Sequence, residues 1–119
     1  MAITGIDHVQ IAAPAGCEED ARAFYGGLLG LEELPKPAAL ATRGGCWFRA
    51  GGQELHVGVD EPFAPARKAH PGLVADDFDA LGARLREAGH DVAFDDAIPG
   101  VERFHVADPF GNRLEIRQA

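Results

Sequence analysis

The sequence has few cysteines and few basic residues. Only Cys17 and Cys46 occur in 119 residues, far apart and outside any CxxC pattern. A disulfide framework or a thiolate zinc site is therefore not expected, and both residues are interpreted as ordinary buried or half-buried thiols. The 11 Lys and Arg residues are outnumbered by 19 Asp and Glu residues, giving a net charge of −8. This balance argues against a nucleic-acid partner and favours a neutral or cationic small molecule.

Long apolar runs and targeting signals are also lacking. No apolar stretch approaches the roughly 20 residues needed to cross a bilayer. The opening segment "MAITGIDHVQ" lacks the basic and apolar regions of a signal peptide. No membrane partner and a cytoplasmic location are therefore expected. The composition, 46% apolar and 25% charged, is that of one globular domain.

Two segments share one pattern. "GQELHV" at 52–57 and "GNRLEI" at 111–116 both contain Gly, two polar residues, Leu, a potential metal ligand and a β-branched residue. This pairs His56 with Glu115, 59 positions later (56 to 115), and the same step carries Gly30 to Gly89. Both glycines end a helical pattern, where a left-handed residue is favoured. The chain is therefore predicted to be a duplication.

Each half is predicted to follow the order βαβββ, which makes the fold class α+β. The second helix is expected to start at an N-cap supplied by Asp76 or Asp77. The apolar stripes are Ala21, Phe24 and Leu28 in the first helix, and Phe78, Leu81 and Leu85 in the second. The predicted single domain contains module one at about 1–59, a linker at about 60–69 and module two at about 70–119.

Strand parity places four potential metal ligands away from the face that packs on the helices. Side chains alternate across a strand, so His56 in "LHVGV" and Glu115 in "RLEIR" oppose their apolar neighbours. The first strand of each module gives the same result for His8 and His70. If the mixed sheets curl around a common cleft, three imidazoles and a carboxylate converge there. This set suits a divalent ion such as Zn, Ni, Fe or Mn.

Each of these residues also has a structural interpretation. His8 could be an ordinary strand histidine, and His70 an exposed loop residue. His56 could pair with Glu54, two residues before it. Glu115 lies between two arginines on its strand face, so an ion pair on a solvated strand is its alternative.

Four further residues are candidates for substrate binding. Gln10 shares the strand face of His8, and Trp47 is interpreted as either core or pocket wall. Arg103 and His105 lie in the predicted strand "ERFHVAD", where His105 could bind substrate or transfer a proton.

Five segments, in their order along the chain, resemble the vicinal oxygen chelate superfamily. They are "IDHVQIAAP", "FYGGLLGL", "QELHVGV", "HPGLVADD" and "DPFGNRLEI". The superfamily includes glyoxalase I, extradiol dioxygenases, fosfomycin-resistance thiol transferases and bleomycin-binding resistance proteins. The resemblance covers nearly the whole chain. It implies metal ligands on the first and last strands of each module, which are His8, His56, His70 and Glu115.

The resemblance implies a metal-dependent, glyoxalase-like lyase or isomerase acting on a small oxygenated substrate, with Glu115 also as the base. Glyoxalase-type members usually have Glu or Gln where this chain has His56, which is a departure. One alternative is an Fe(II) extradiol-type dioxygenase that uses His8, His70 and Glu115. Another is an antibiotic-sequestering protein of the bleomycin-binding type, although such proteins typically lack these ligands. A homodimer is also implied, with the site inside one chain or shared between two.

Overall fold

The computed structural model describes residues 2–119, and the chain divides into two compact units, Met1–Ala64 and Pro65–Ala119. Met1, which the prediction assigns to module one, lies outside the described residues. Each unit contains one four-stranded mixed sheet and follows the order βαβββ. The predicted α+β fold with two similar modules is confirmed. Enclosure of a common cleft within one domain stays a prediction.

Unit one contains a four-stranded sheet in which β4 is an interior strand. The elements are β1 His8–Ala13, α1 Glu18–Ala21, β2 Glu32–Leu34, β3 Cys46–Ala50 and β4 Gln53–Val59. A π-helix at Arg22–Leu28 continues α1, and a 3₁₀ helix spans Ala38–Arg43. The sheet order is β1-β4-β3-β2, with β1 parallel to β4 and the other pairs antiparallel.

Unit two repeats this topology around the interior strand β8. Its elements are β5 Gly72–Ala75, α2 Phe78–Glu87, β6 Ala93–Asp95, β7 Arg103–Ala107 and β8 Arg113–Gln118. The sheet order is β5-β8-β7-β6, and β5 is parallel to β8. No helix among residues 2–119 is both long and apolar enough to span a bilayer.

The first helix differs from the single α-helix that the sequence predicts. After α1 the backbone adopts wider π turns, and the N–H of Leu29 donates to the carbonyl of Phe24 at 2.9 Å. Gly26 and Gly27, which weaken an α-helix, lie in this segment. The wider turns rotate the buried face, so Tyr25 is fully buried beside Phe24 while Leu28 is only half-buried. The predicted stripe is therefore correct for its first two members and shifted at its third.

The second helix has the predicted apolar stripe but not the predicted capping bond. The stripe residues Phe78, Leu81 and Leu85 are all buried. Asp77 occupies the N-cap position, but its side chain makes no capping hydrogen bond. Its carboxylate accepts from Nη1 of Arg84 at 3.1 Å instead. An ion pair with the exposed face of the helix thus replaces the local cap.

Both cysteines are buried in unit one, as predicted. Burial, followed by the neighbouring Glu18 carboxylate, raises the pKa of Cys17 to about 11. Burial also raises the pKa of Cys46. The raised pKa values keep both thiols protonated near neutral pH, which disfavours a role as a nucleophile.

The registers of the two sheets make three positions equivalent. On one face, the interior strand carries His56 in unit one and Glu115 in unit two, each opposite a residue of the neighbouring antiparallel strand. That opposite residue is Trp47 in unit one and His105 in unit two, 58 positions apart (47 to 105). The third position, at or just before the edge strand, holds His8 or His70. Each unit therefore presents a set of three residues, called here triad one (His8, Trp47, His56) and triad two (His70, His105, Glu115).

Candidate functional site

Triad two brings two imidazoles and a carboxylate together. Nε2 of His105 lies 3.4 Å from Oε1 of Glu115, and Nε2 of His70 lies 3.8 Å from the same oxygen. One ligand atom from each residue lies within 4.8 Å of the other two. The carboxylate is buried, with 6% of its side chain exposed, whereas His70 is 28% exposed. The cluster is therefore accessible through His70 and closed around Glu115.

Two arginines hold the Glu115 carboxylate. Nε of Arg117 donates to Oε2 at 2.6 Å, and Nη1 of Arg103 donates to Oε1 at 2.6 Å. These bonds, that of Arg117 first, lower the pKa of Glu115 to about 2, although burial opposes the shift. The carboxylate is consequently ionised across the physiological pH range. An ionised carboxylate is the form that coordinates a cation.

The backbone of the linker orients His70. Its Nδ1 lies 2.8 Å from the carbonyl oxygen of Lys68. A carbonyl only accepts hydrogen bonds, so Nδ1 carries the proton. In the neutral ring, Nε2 then bears the lone pair and faces Glu115. Such a contact on the far nitrogen is the usual support of a metal-binding histidine.

Asp95 lies beside His105 and Arg103. Its Oδ2 is 3.9 Å from Nδ1 of His105 and accepts from Nη2 of Arg103 at 3.0 Å. The N–H of Ala97 donates to its other oxygen at 2.8 Å and, ahead of the basic side chains, lowers the pKa of Asp95. An ionised carboxylate on the Nδ1 side of His105 favours presentation of Nε2 to the cluster.

Triad one is a stack of aromatic rings. The ring of His56 lies 3.9 Å from that of Trp47, with an angle of 2° between the planes. On its other side, the ring of His8 lies 4.3 Å away at 14°. Because β4 lies between β1 and β3, His56 is enclosed by both neighbours and is buried. The three equivalent positions thus form a packed aromatic stack in unit one and a polar cluster in unit two.

One nitrogen of each imidazole in triad one is within hydrogen-bond distance of a carboxylate. Nε2 of His56 lies 2.9 Å from Glu54, and Nδ1 of His8 lies 2.9 Å from Asp7. Lone pairs of an imidazole lie in its ring plane, so binding of one ion by both His8 and His56 would require one ring to leave the stack. The pairing of His56 with Glu54, the structural alternative for this residue, is present.

The remaining candidates for substrate binding lie beside these triads. The side chain of Gln10 lies against Gly58, where an added Cβ would be 2.5 Å from its Nε2. Trp47 is half-buried on β3, in triad one. In unit two, Arg103 contacts Glu115. His8, His56, Gln10 and Trp47 are therefore neighbours in unit one, and His70, His105, Glu115 and Arg103 in unit two, while convergence of all four predicted ligands stays a prediction.

Sequence reasoning did not identify two features of this cluster. It assigned His105 to substrate or proton transfer rather than to the ligand group, and it did not single out Asp95. Of the two arginines that it placed beside Glu115, Arg117 makes the contact. A signal for His105 exists, because it lies opposite Glu115 as Trp47 lies opposite His56. The strands that precede β4 and β8 in the sequence, β3 and β7, are related by a step of 58 residues, from 47 to 105. Applying this step would have revealed the equivalence of Trp47 and His105.

Comparisons with known proteins agree with the fold. The family model of the Glyoxalase/Bleomycin resistance protein/Dioxygenase superfamily matches residues 5–116. A glyoxalase family protein from Bacillus anthracis is similar at 53% identity and a TM-score of 0.95, covering 99% of this chain and 97% of that chain. No curated protein sequence matches.

Two other solved structures are similar at lower identity. TnmS3, an antibiotic binding protein from Streptomyces sp. CB03234, is 27% identical with a TM-score of 0.73, covering 99% of this chain and 98% of that chain. Lactoylglutathione lyase from Agrobacterium tumefaciens shares the fold at 21% identity and a TM-score of 0.75, covering 100% of this chain and 96% of that chain. With the family model spanning nearly all of its length, the chain belongs to the Glyoxalase/Bleomycin resistance protein/Dioxygenase superfamily.

Proposed function

We propose that this protein is a metal-dependent, glyoxalase-like lyase or isomerase that acts on a small oxygenated substrate. The divalent ion is held by triad two, His70, His105 and Glu115. The observation that carries the proposal is the approach of both Nε2 atoms to one oxygen of a buried, ionised carboxylate, at 3.4 and 3.8 Å. His8 and His56 remain proposed additional ligands, from the same chain or from a partner in a homodimer.

The donor set fits a first-row divalent ion. Ligand atoms bound at about 2.1 Å in a tetrahedral arrangement lie roughly 3.4 Å apart. The separation between His105 and Glu115 matches this value, and that between His70 and Glu115 is slightly larger. Two imidazoles and one carboxylate also leave coordination positions for substrate. Zn, Ni, Fe and Mn all accept such a set.

The chemistry divides between the ion and the protein. A bound divalent ion polarises adjacent substrate oxygens and stabilises the negative charge that develops when a proton is removed beside a carbonyl. Glu115 is the proposed base, but with a pKa of about 2 it is a weak one while both arginines hold it. Proton transfer to Glu115 therefore requires weaker hydrogen bonds from the two arginines to its carboxylate. Gln10, Trp47, Arg103 and His105 are proposed to orient the substrate.

Metal analysis of matched variants tests the proposal. After loading with Zn²⁺ or Ni²⁺ and dialysis, we expect His70→Ala, His105→Ala and Glu115→Ala to weaken metal affinity by at least about 100-fold. His8→Ala distinguishes a three-ligand site from a four-ligand site, because the ring of His8 lies in the stack of unit one. Stoichiometric tight metal in the Glu115→Ala protein would contradict the proposal. Loss of metal in His8→Ala would favour the four-ligand site.

Solvent exchange tests the reaction class. In D₂O, the metal-loaded protein is expected to exchange a proton next to the carbonyl of a small α-hydroxy ketone or aldehyde, observed by NMR. Glu115→Gln should abolish this exchange. Exchange that persists in Glu115→Gln at the wild-type rate would exclude Glu115 as the base.

An antibiotic-sequestering protein is the second candidate, and triad one favours it. A planar stack of three rings is a suitable surface for a flat aromatic drug, and the acidic chain favours a cationic one. The likeness to TnmS3 adds support. A thermal shift on adding a cationic planar drug, with quenching of the single Trp47, and no shift on adding metal would favour this function.

An Fe(II) dioxygenase is the third candidate. Two His and one carboxylate form the ligand type that Fe(II) oxygenases use. Anaerobic loading with Fe²⁺, followed by catechol and O₂, should give a ring-cleaved product if this function holds.

We also propose a cytoplasmic homodimer, and light scattering of the purified protein tests the dimer.

A further inference from the structure

One oxygen of Glu115 has competing neighbours. Oε1 accepts from Nη1 of Arg103 at 2.6 Å, and both imidazoles of triad two approach this same oxygen. Oε2, by contrast, accepts from Arg117. The guanidinium of Arg103 is therefore bound to the oxygen that a cation held by His70 and His105 would use. Two positive charges on one carboxylate oxygen repel each other.

Arg103 has a second acceptor and an unused donor. Its Nη2 donates to Asp95 at 3.0 Å, and its Nε is buried without a hydrogen-bond partner among the described residues. The side chain is 14% exposed, compared with 41% for Arg117. Arg103 can thus leave Oε1 and keep its bond to Asp95. Arg117, on the other oxygen, does not have to move when a cation enters.

We propose that Arg103 is an internal competitor of the divalent cation, bound to Oε1 of Glu115 in the unloaded protein and retained by Asp95 when the cation enters. This inference rests on the function proposed above. Arg103 then stabilises the unloaded cluster by neutralising Glu115, and metal binding includes the cost of displacing it.

The direction in which Arg103→Gln changes the affinity for Zn²⁺ tests the proposal. Zn²⁺ affinity is measured by calorimetry on the full chain at neutral pH for the wild type, Arg103→Gln and Arg117→Gln. Both variants lose one positive charge beside the same carboxylate, so long-range electrostatics is matched. We expect Arg103→Gln to bind Zn²⁺ about tenfold more tightly than Arg117→Gln, whereas removal of a supporting residue would weaken binding by about 10- to 100-fold. Equal or weaker binding in Arg103→Gln overturns the inference.

Two further measurements keep the test independent of folding problems. Arg103→Met retains length and apolar packing, and it should also bind Zn²⁺ more tightly than the wild type. In the wild type, NMR should show the Nη protons of Arg103 losing protection from exchange when Zn²⁺ is added, while the Nε proton of Arg117 keeps it. Persistent protection of Arg103 in the Zn²⁺-bound protein overturns the inference.

The proposed function and this inference fail separately. If Zn²⁺ binds to the wild type and is lost in His105→Ala, the metal site stands, and only the arginine variants decide the inference. If neither the wild type nor any arginine variant binds Zn²⁺ through His70, His105 and Glu115, both proposals are overturned.

Discussion

Units one and two have the same topology and register but use them differently. The interior strand of unit one carries His56 between two rings, whereas that of unit two carries Glu115 between two imidazoles and two arginines. One triad is joined by ring stacking and the other by charge. The strand register fixes which residues meet, while the side chains decide whether they are joined by ring stacking or by charged contacts.

The difference extends to the flanking positions. If the register of β3 is continued by one residue, Gly45 lies opposite Gly58, as Arg103 lies opposite Arg117 in unit two. Gly45 has a φ of +84°, and an added Cβ would lie 2.0 Å from the carbonyl oxygen of Val57. Unit one therefore has no space for the pair of arginines that holds Glu115 in unit two.

The largest expected effect comes from Gly45→Ala. The new Cβ meets a backbone carbonyl and requires a left-handed conformation, so we expect a loss of about 4 kcal/mol in the free energy of unfolding. Gly51→Ala is the control, because Gly51 has a φ of +62° but no atom within 4 Å of the added Cβ. Chemical denaturation should show a loss of about 1 kcal/mol there. Equal losses would show that the close approach to Val57 is unimportant.

Glu115→Gln is expected to have the second-largest effect. The amide leaves two arginines without their anion at a buried position, so the free energy of unfolding should fall by about 3 kcal/mol. The same substitution at the equivalent position, His56→Gln, should cost about 1 kcal/mol, because it removes stacking and the hydrogen bond with Glu54. Urea denaturation of both proteins measures the difference. Similar losses would mean that the two positions contribute to stability in the same way.

Trp47→Ala and His105→Ala probe the neighbouring equivalent positions. Loss of the half-buried indole and its stacking should cost about 2 kcal/mol, less than for a fully buried Trp. His105→Ala should cost about 0.5 kcal/mol. Metal affinity should show the reverse, unchanged in Trp47→Ala and lost in His105→Ala. A metal defect in Trp47→Ala would contradict the separation of roles.

The effect of Glu18→Gln is expected to be smaller than those of Gly45→Ala, Glu115→Gln and Trp47→Ala, and it depends on pH. The N–H of Gly45 donates to the Glu18 carboxylate at 2.6 Å and is the main cause of its lowered pKa. Because folding lowers the pKa of Glu18, the ionised carboxylate contributes its full stability at pH values above the usual pKa of 4.5. This stability is lost as the pH falls through the lower pKa that Glu18 has in the folded protein. We expect a loss of about 1.5 kcal/mol at pH 7.

The pH profile provides the control for Glu18→Gln. The difference in stability between Glu18→Gln and the wild type should shrink as the pH falls below 4.5, the usual pKa of this carboxyl group. Thermal melting of both proteins over this range measures it. A difference that does not change with pH would mean that the charge of Glu18 contributes nothing.

The fold was predictable because the duplicated pattern fixes the order of elements, and parity fixes their faces. Glu115 and His56 could be paired from sequence alone because they lie in one repeated motif. The ring stack and the contact of Arg103 with Glu115 could not, since they depend on which residues of adjacent strands lie opposite each other. The π-helix was missed for a different reason: the gain from burying Tyr25 depends on the sheet beneath it, which local sequence does not describe.

The interior location of β4 and β8 also matters for how the sequence can change. A residue on such a strand has neighbours on both sides, so a single codon at 56 or 115 alters several contacts at once. After duplication, one copy can keep an arrangement that favours folding while the other exchanges stability for ligand chemistry. Substitutions that strengthen unit one are therefore available to compensate for the binding residues proposed in unit two.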